Sequence, residues 1–159
     1  MRLLKDALIL TILALLAGLA HSMIRPVDIT VIDTSTRGEE VAPGVVRRGK
    51  FLFVSPTRAH ELHQAGLTQF FDASSDEEYE EGHIEGAVHL PIEDVSEGSF
   101  PQALEGLPPD MPMIVYCSSG CDIAQIVVER LQEMGYSNVM VFDGPFDVWK
   151  KAGYPSVSR

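Results

Sequence analysis

The chain has two thiols, Cys117 and Cys121, set four positions apart in the run Cys117-Ser118-Ser119-Gly120-Cys121-Asp122. The run follows an apolar segment, Met113-Ile114-Val115-Tyr116, and precedes one in which Ile123, Ala124, Val127, Val128, Leu131 and Met134 recur at helical spacing. A thiol on a tight strand-to-helix loop sits where backbone N–H groups converge and the helix dipole favours negative charge. Such a setting stabilises the thiolate, the form in which sulfur attacks. Cys117 therefore reads as a nucleophile or a carrier of anionic sulfur, against the alternative of a buried cysteine at a strand end. Two cysteines this close staple little and make no disulfide scaffold. In an oxidising compartment they can react with each other, so Cys121 either resolves an oxidised Cys117 through a disulfide or is a small residue at the helix start that never meets it. The histidines His21, His60, His63, His83 and His89 show no zinc-ligand spacing with the pair, and no metal or cofactor is expected.

The elements that would position this loop alternate between strand and helix. Phe51 to Val54 reads as a strand. Ser55 and Pro56 suit the cap and first position of a helix that ends at Gly66. Leu67 to Ala73 is the next strand, Asp76 to Glu81 a short acidic helix behind Ser75, and Ala87 to Leu90 a short strand. A loop-rich stretch, residues 92–112, holds a short helix around Gln102 to Glu105. After the cysteine loop come the helix Asp122 to Met134, the strand Val139 to Phe142 and a terminal helix carrying Phe146 and Trp149. Strand–helix alternation implies a parallel sheet built from crossover units, in which ligands bind beyond the carboxyl ends of the strands. Cys117 falls at such an end.

Composition narrows the function classes. The chain has 159 residues, enough for one compact domain and a short extra element, and a formal net charge of −11. That charge argues against nucleic acid, whose binding needs a basic face. No Lys or Arg occurs between Arg58 and Arg130, where acids are frequent, which reads as a solvated acidic face or as an acidic docking surface. Arg2 and Lys5 precede an apolar stretch from Ala7 to Ile24 in which Thr11, His21 and Ser22 are the polar residues. Residues 1–24 are expected to be a membrane anchor, or a signal peptide cleaved near Ala20. The basic flank predicts export, placing the domain on the periplasmic side of a bacterial inner membrane, or free in the periplasm after cleavage. Residues 25–50 read as a linker and lead-in, and residues 51–159 as the domain.

Four motifs in order resemble the rhodanese domain family. Phe71-Asp72-Ala73 resembles its hydrophobic-Asp-Ala strand end. The run Tyr79 to Pro91 resembles its Y-x-x-G-H-I-x-G-A-x-x-L-P signature, Val115 to Gly120 its active-site loop, and Asp143 to Pro155 its terminal G-G-x-x-x-W-x-x-x-G-Y-P. The resemblance covers about Phe51 to Val157. It implies an α/β fold, a parallel sheet flanked by helices on both faces, here preceded by one hydrophobic N-terminal helix. It also implies a sulfurtransferase in which Cys117 takes a sulfane sulfur from a donor such as thiosulfate, holds it as a persulfide, and passes it to a thiol or an acceptor protein. Ser118, Ser119, Gly120, Cys121 and Asp122 would cradle the anionic sulfur. By the same resemblance the Gly-His-Ile turn at His83 is structural, its imidazole bonded to backbone.

The chain departs from the family pattern in charge. Asp122 stands where the family often has Arg, Ile123 where Ser or Thr is usual, and Ser74 where Arg is frequent. A carboxylate beside the site repels an anionic donor; Asp122 reads alternatively as the helix N-cap. Related phosphatases clamp phosphate with an Arg at the place of Ile123 and use a loop one residue longer, so phosphatase chemistry is not expected. The rivals to sulfur transfer are a thiol–disulfide protein using Cys117 and Cys121, and a catalytically inactive domain that binds a partner.

Overall fold

A computed structural model describes residues 38–96 and 100–158, apart from the side chain of Cys121. The strands are β1 (Glu39–Ala42), β2 (Val45–Arg48), β3 (Phe51–Val54), β4 (Gln69–Asp72), β5 (Gly82–Ile84), β6 (Val88–His89), β7 (Met113–Tyr116), β8 (Val139–Phe142) and β9 (Ser156–Ser158). The helices are α1 (Pro56–Ala65), α2 (Asp76–Glu81), α3 (Cys121–Glu133) and α4 (Phe146–Lys151), with one 3₁₀ turn at Gln102–Leu104. Seven strands form one sheet in the order β1-β2-β3-β8-β7-β4-β6. The pairs from β3 through β6 are parallel, and β1 and β2 extend the sheet as an antiparallel meander.

Local chemistry explains the helix limits. Ser55 Oγ accepts the Arg58 N–H at 3.3 Å, Pro56 opens α1, and Gly66 closes it in the left-handed conformation at φ 66°. Ser75 and Glu78 form a reciprocal capping box on α2, and the acids in its first turn complement the helix dipole. Alternation along the strands then sends side chains to two cores. Phe53, Phe71, Val115 and Val141 face Ala124, Val127, Val128 and Leu131 of α3. Val54, Phe70, Ile114, Met140 and Phe142 face Ala59 of α1 and Trp149 of α4. Helices thus cover both faces, as expected.

Two features differ from the sequence reading. Residues 39–48, expected within the lead-in, form β1 and β2. Glu39 to Ala42 is exposed throughout, so no buried face marks it as a strand. Its neighbour is fixed by tertiary contact: Arg48 makes a bidentate ion pair with Asp143, with N–O distances of 2.7 and 2.8 Å, and lies over the Phe53 ring at 4.6 Å. The second feature is a small antiparallel sheet of β5 and β9, in which Gly82 pairs with Ser158 and Ile84 with Ser156. Strands of three residues carry too little alternation to announce themselves.

Among the described residues no helix is long and apolar enough to cross a membrane. The N-terminal segment expected to do so, residues 1–24, lies outside the described residues.

Candidate active site

The sheet order creates the site. From β4 the chain passes outward to β6, and from β7 it passes the opposite way to β8, so the connections diverge between β4 and β7. A crevice opens at the carboxyl ends of strands where this happens. The cysteine loop follows β7 there, and Asp72, Ala73 and Ser74 follow β4 beside it. Asp72 pairs with Tyr116 in register, and the Ala73 N–H continues the ladder to the Tyr116 carbonyl at 2.8 Å.

Cys117 directly follows β7 at this end of the sheet, 1% exposed, and packs in the core under α3. Its Sγ is 3.4 Å from Ser119 Oγ, and its carbonyl accepts the Phe146 N–H at 3.2 Å, which ties the loop to the start of α4. Gly120 occupies the N-cap position of α3 with φ 130°, a value that L side chains rarely adopt. No described side chain caps that helix, so its first amides open at the loop. Asp122 is therefore not the N-cap. It is the second residue of the first turn, exposed, where a carboxylate favours the helix dipole without capping it. Cys121 begins α3; its side chain lies outside the described residues, and so do both alternatives read from the sequence, a thiol that resolves Cys117 and a small residue that never meets it.

The sequence reading treated Ser74 only as a missing cation. In the structure it holds the loop. Its buried Oγ accepts the Ser118 N–H at 2.8 Å and shares a second hydrogen bond with Ser118 Oγ at 2.9 Å. The Ser74 N–H in turn donates to Asp72 Oδ1 at 2.9 Å. A chain of hydrogen bonds thus joins the Asp72 carboxylate at the end of β4 to the residue after Cys117. The signal was available: parallel β4 and β7 are neighbours, and each is followed at its carboxyl end by a small hydroxylic residue.

Tyr116 and His83 are structural. The Tyr116 hydroxyl accepts the Ile84 N–H at 2.9 Å, and burial first, then the charge of Asp72, pushes the phenol far above its ordinary value. The His83 Nδ1 lies 2.9 Å from the Tyr79 carbonyl and its ring stacks on Tyr79 at 4.0 Å, which is the backbone-bonded histidine expected. Trp149 is a core anchor, wholly buried, with Nε1 donating to the Pro155 carbonyl at 2.8 Å. Among the described residues no cluster of His, Cys, Asp or Glu is arranged to hold a metal ion.

Three depressions ring the loop. One, of about 230 Å³, is lined by Ser119, Gly120, Asp122 and Ile123. A second, of about 520 Å³, lies between α2 and the turn after Pro91 and reaches Ile123. A third, of about 210 Å³, runs from Ser118 towards Phe146 and Lys150. The loop that carries Cys117 and leads into α3 holds no Lys or Arg.

The rhodanese-like domain profile matches residues 55–152. A protein named thiosulfate sulfurtransferase GlpE from Stutzerimonas stutzeri is 31% identical over 106 residues, covering 67% of this chain and 90% of the relative. Another of that name from Coxiella burnetii is 32% identical over 97 residues, 61% of this chain and 85% of the relative. Among solved structures, the rhodanese-like domain of the Alr3790 protein from Anabaena superposes with a TM-score of 0.56 at 25% identity, covering 66% of this chain and 77% of that one. With the loop at the switch point of a mostly parallel sheet and the profile spanning most of the described residues, this chain belongs to the rhodanese-like domain family.

Proposed function

We propose that this domain is a sulfurtransferase that carries sulfane sulfur on Cys117. The observation that carries the reading is the placement of Cys117, 1% exposed, on the loop between β7 and the start of α3, at the carboxyl ends of β4 and β7. Relatives named thiosulfate sulfurtransferase, 31% and 32% identical and matched over 90% and 85% of their own length, support it. In the first step the Cys117 thiolate attacks the outer sulfur of a donor such as thiosulfate. A new S–S bond forms, the donor's S–S bond breaks, and sulfite leaves with the electron pair. In the second step an acceptor thiolate attacks the outer sulfur of the persulfide, and Cys117 leaves as thiolate. No oxidant or reductant is consumed, and dividing the transfer in two lowers each barrier. The amides of Ser119, Gly120, Cys121 and Asp122 oppose the persulfide charge, while Ser118 holds the loop through Ser74. Gly120 permits the loop to turn into α3 at a φ of 130°.

Steady-state transfer from thiosulfate to cyanide or a thiol tests the reading. Cys117→Ser abolishes turnover and Cys121→Ser retains most of it. Equal loss in both variants, together with a Cys117–Cys121 disulfide in non-reducing peptide maps, would assign the pair to thiol–disulfide exchange. Absence of turnover in the native protein with every sulfane donor would leave a partner-binding domain.

We further propose that residues 1–24 deliver the domain across a bacterial inner membrane and hold it there. N-terminal sequencing of the membrane fraction is expected to recover the whole segment. A mature chain beginning after Ala20 would show a cleaved signal, and an intact chain in the cytosol would contradict export.

A further inference from the structure

We infer that the sulfur acceptor of this domain is a cysteine thiol on a polypeptide whose neighbouring residues are Lys or Arg. The inference rests on the sulfurtransferase reading and adds the class of acceptor. Two independent features of the surface beside the loop point to it.

The first is charge. The cleft of about 520 Å³ has walls of Asp76, Glu77, Glu78, Glu93 and Asp94. On the opposite side Glu81 and Asp147 border the third depression together with Lys150, and Asp122 stands at the loop itself. Lys150 is the one Lys or Arg among the described residues lining these three hollows. These acids converge on the loop from α2, the turn after Pro91, α3 and α4. They set a negative potential over the route to Cys117, which lowers the local concentration of anions and raises that of cations.

The second is shape and chemistry. Between the acidic walls the cleft presents Ala73, Pro91, Ile92 and Ile123, an apolar strip. Ile123 also lines the depression with Ser119 and Gly120, so the cleft borders the loop's mouth across that side chain. A small aminothiol would satisfy the charge and leave this volume and apolar strip unused. An extended basic segment fills both: cationic side chains reach the walls, their methylene stems cover the strip, and the thiol projects to the loop. The transfer is balanced as before. The acceptor thiolate attacks the outer sulfur of the Cys117 persulfide, that S–S bond breaks, and the acceptor leaves as a persulfide.

The test loads the protein with sulfur and measures the rate of transfer to three peptides of equal length with a central cysteine flanked by Lys, by Gly or by Glu. Cysteamine serves as the small cationic control. Rates are expressed per thiolate from each acceptor's own titration and followed from low to high salt. At low ionic strength the Lys-flanked peptide is expected to react at least about tenfold faster than the Glu-flanked one, and the ratio to fall towards one in high salt. The double variant Glu77→Lys/Glu93→Lys, both positions exposed, is expected to erase the ratio. Equal, salt-independent rates for the three peptides would overturn the inference and leave the sulfurtransferase reading standing. So would a ratio that survives the double variant. Cysteamine matching the Lys-flanked peptide would show that charge alone is read and the cleft holds no polypeptide. A protein that cannot be loaded with sulfur at all would instead refute the reading on which the inference depends.

Discussion

Asp122 isolates a single charge at the proposed reaction centre. It is exposed in the first turn of α3 and lines the depression with Ser119 and Gly120. A donor dianion entering there meets a like charge, and the attraction of the amides works against it. Replacing Asp122 by Arg exchanges repulsion for attraction at short range. Asp122→Arg is expected to raise kcat/KM for thiosulfate roughly fivefold at moderate ionic strength, from Coulomb energy in a water-like medium damped by salt. A neutral sulfane donor should gain little. Steady-state kinetics with both donors decides: an equal gain for the two would show that charge is not the limiting effect. The same residue shows what sequence could and could not say. Its sign and nearness to Cys117 were legible, but its place in the helix was not, because Gly120 takes the cap by adopting a backbone conformation that no side chain announces.

At the level of elements, the site depends on a clasp between β4 and the loop after β7. Ser74 is buried and its Oγ serves both the N–H and the hydroxyl of Ser118. Ser74→Ala leaves that partly buried N–H without its acceptor, at a cost of about 1–3 kcal/mol. Urea unfolding measures it, and a change below about 0.5 kcal/mol would show that the loop holds its shape without the clasp. The clasp joins residues 44 positions apart, so its one signal in the sequence is the pair of small hydroxylic residues that follow two strands expected to be parallel. Elements whose limits are set locally were legible: α1 between Ser55 and Gly66, α2 behind Ser75, and β8 as an unbroken apolar run. Those held by distant partners were not. β1 has no buried face, and β5 exists only because β9 returns to pair with it.

For the whole molecule, the parallel sheet places two ionisable groups in one core, and that governs stability at high pH. Tyr116 is wholly buried on β7 beside Asp72 of β4, and its phenol is held well above the ordinary value near 10. Tyr79 shifts the same way for the same two causes, burial first and Asp72 second. A raised phenol contributes its full stability while both states are neutral. Above about pH 10 the unfolded tyrosines ionise and the folded ones do not, so folding stability falls as pH climbs towards the folded values. The unfolding free energy is expected to decline above pH 10 by up to roughly 1.4 kcal/mol per pH unit through Tyr116, and Tyr116→Phe to flatten that decline. Denaturant melts between neutral pH and pH 11 measure it; a flat profile would show that neither phenol is held neutral by the fold.

Sulfur carriage on Cys117 is read directly by intact-protein mass spectrometry. After incubation with thiosulfate, polysulfide or a low-molecular-weight persulfide, the native domain is expected to gain the mass of one sulfur atom, to lose it on addition of an acceptor thiol, and to show no gain in Cys117→Ser. An unchanged mass with all three donors, or a gain that persists in Cys117→Ser, would contradict a sulfur-carrying Cys117.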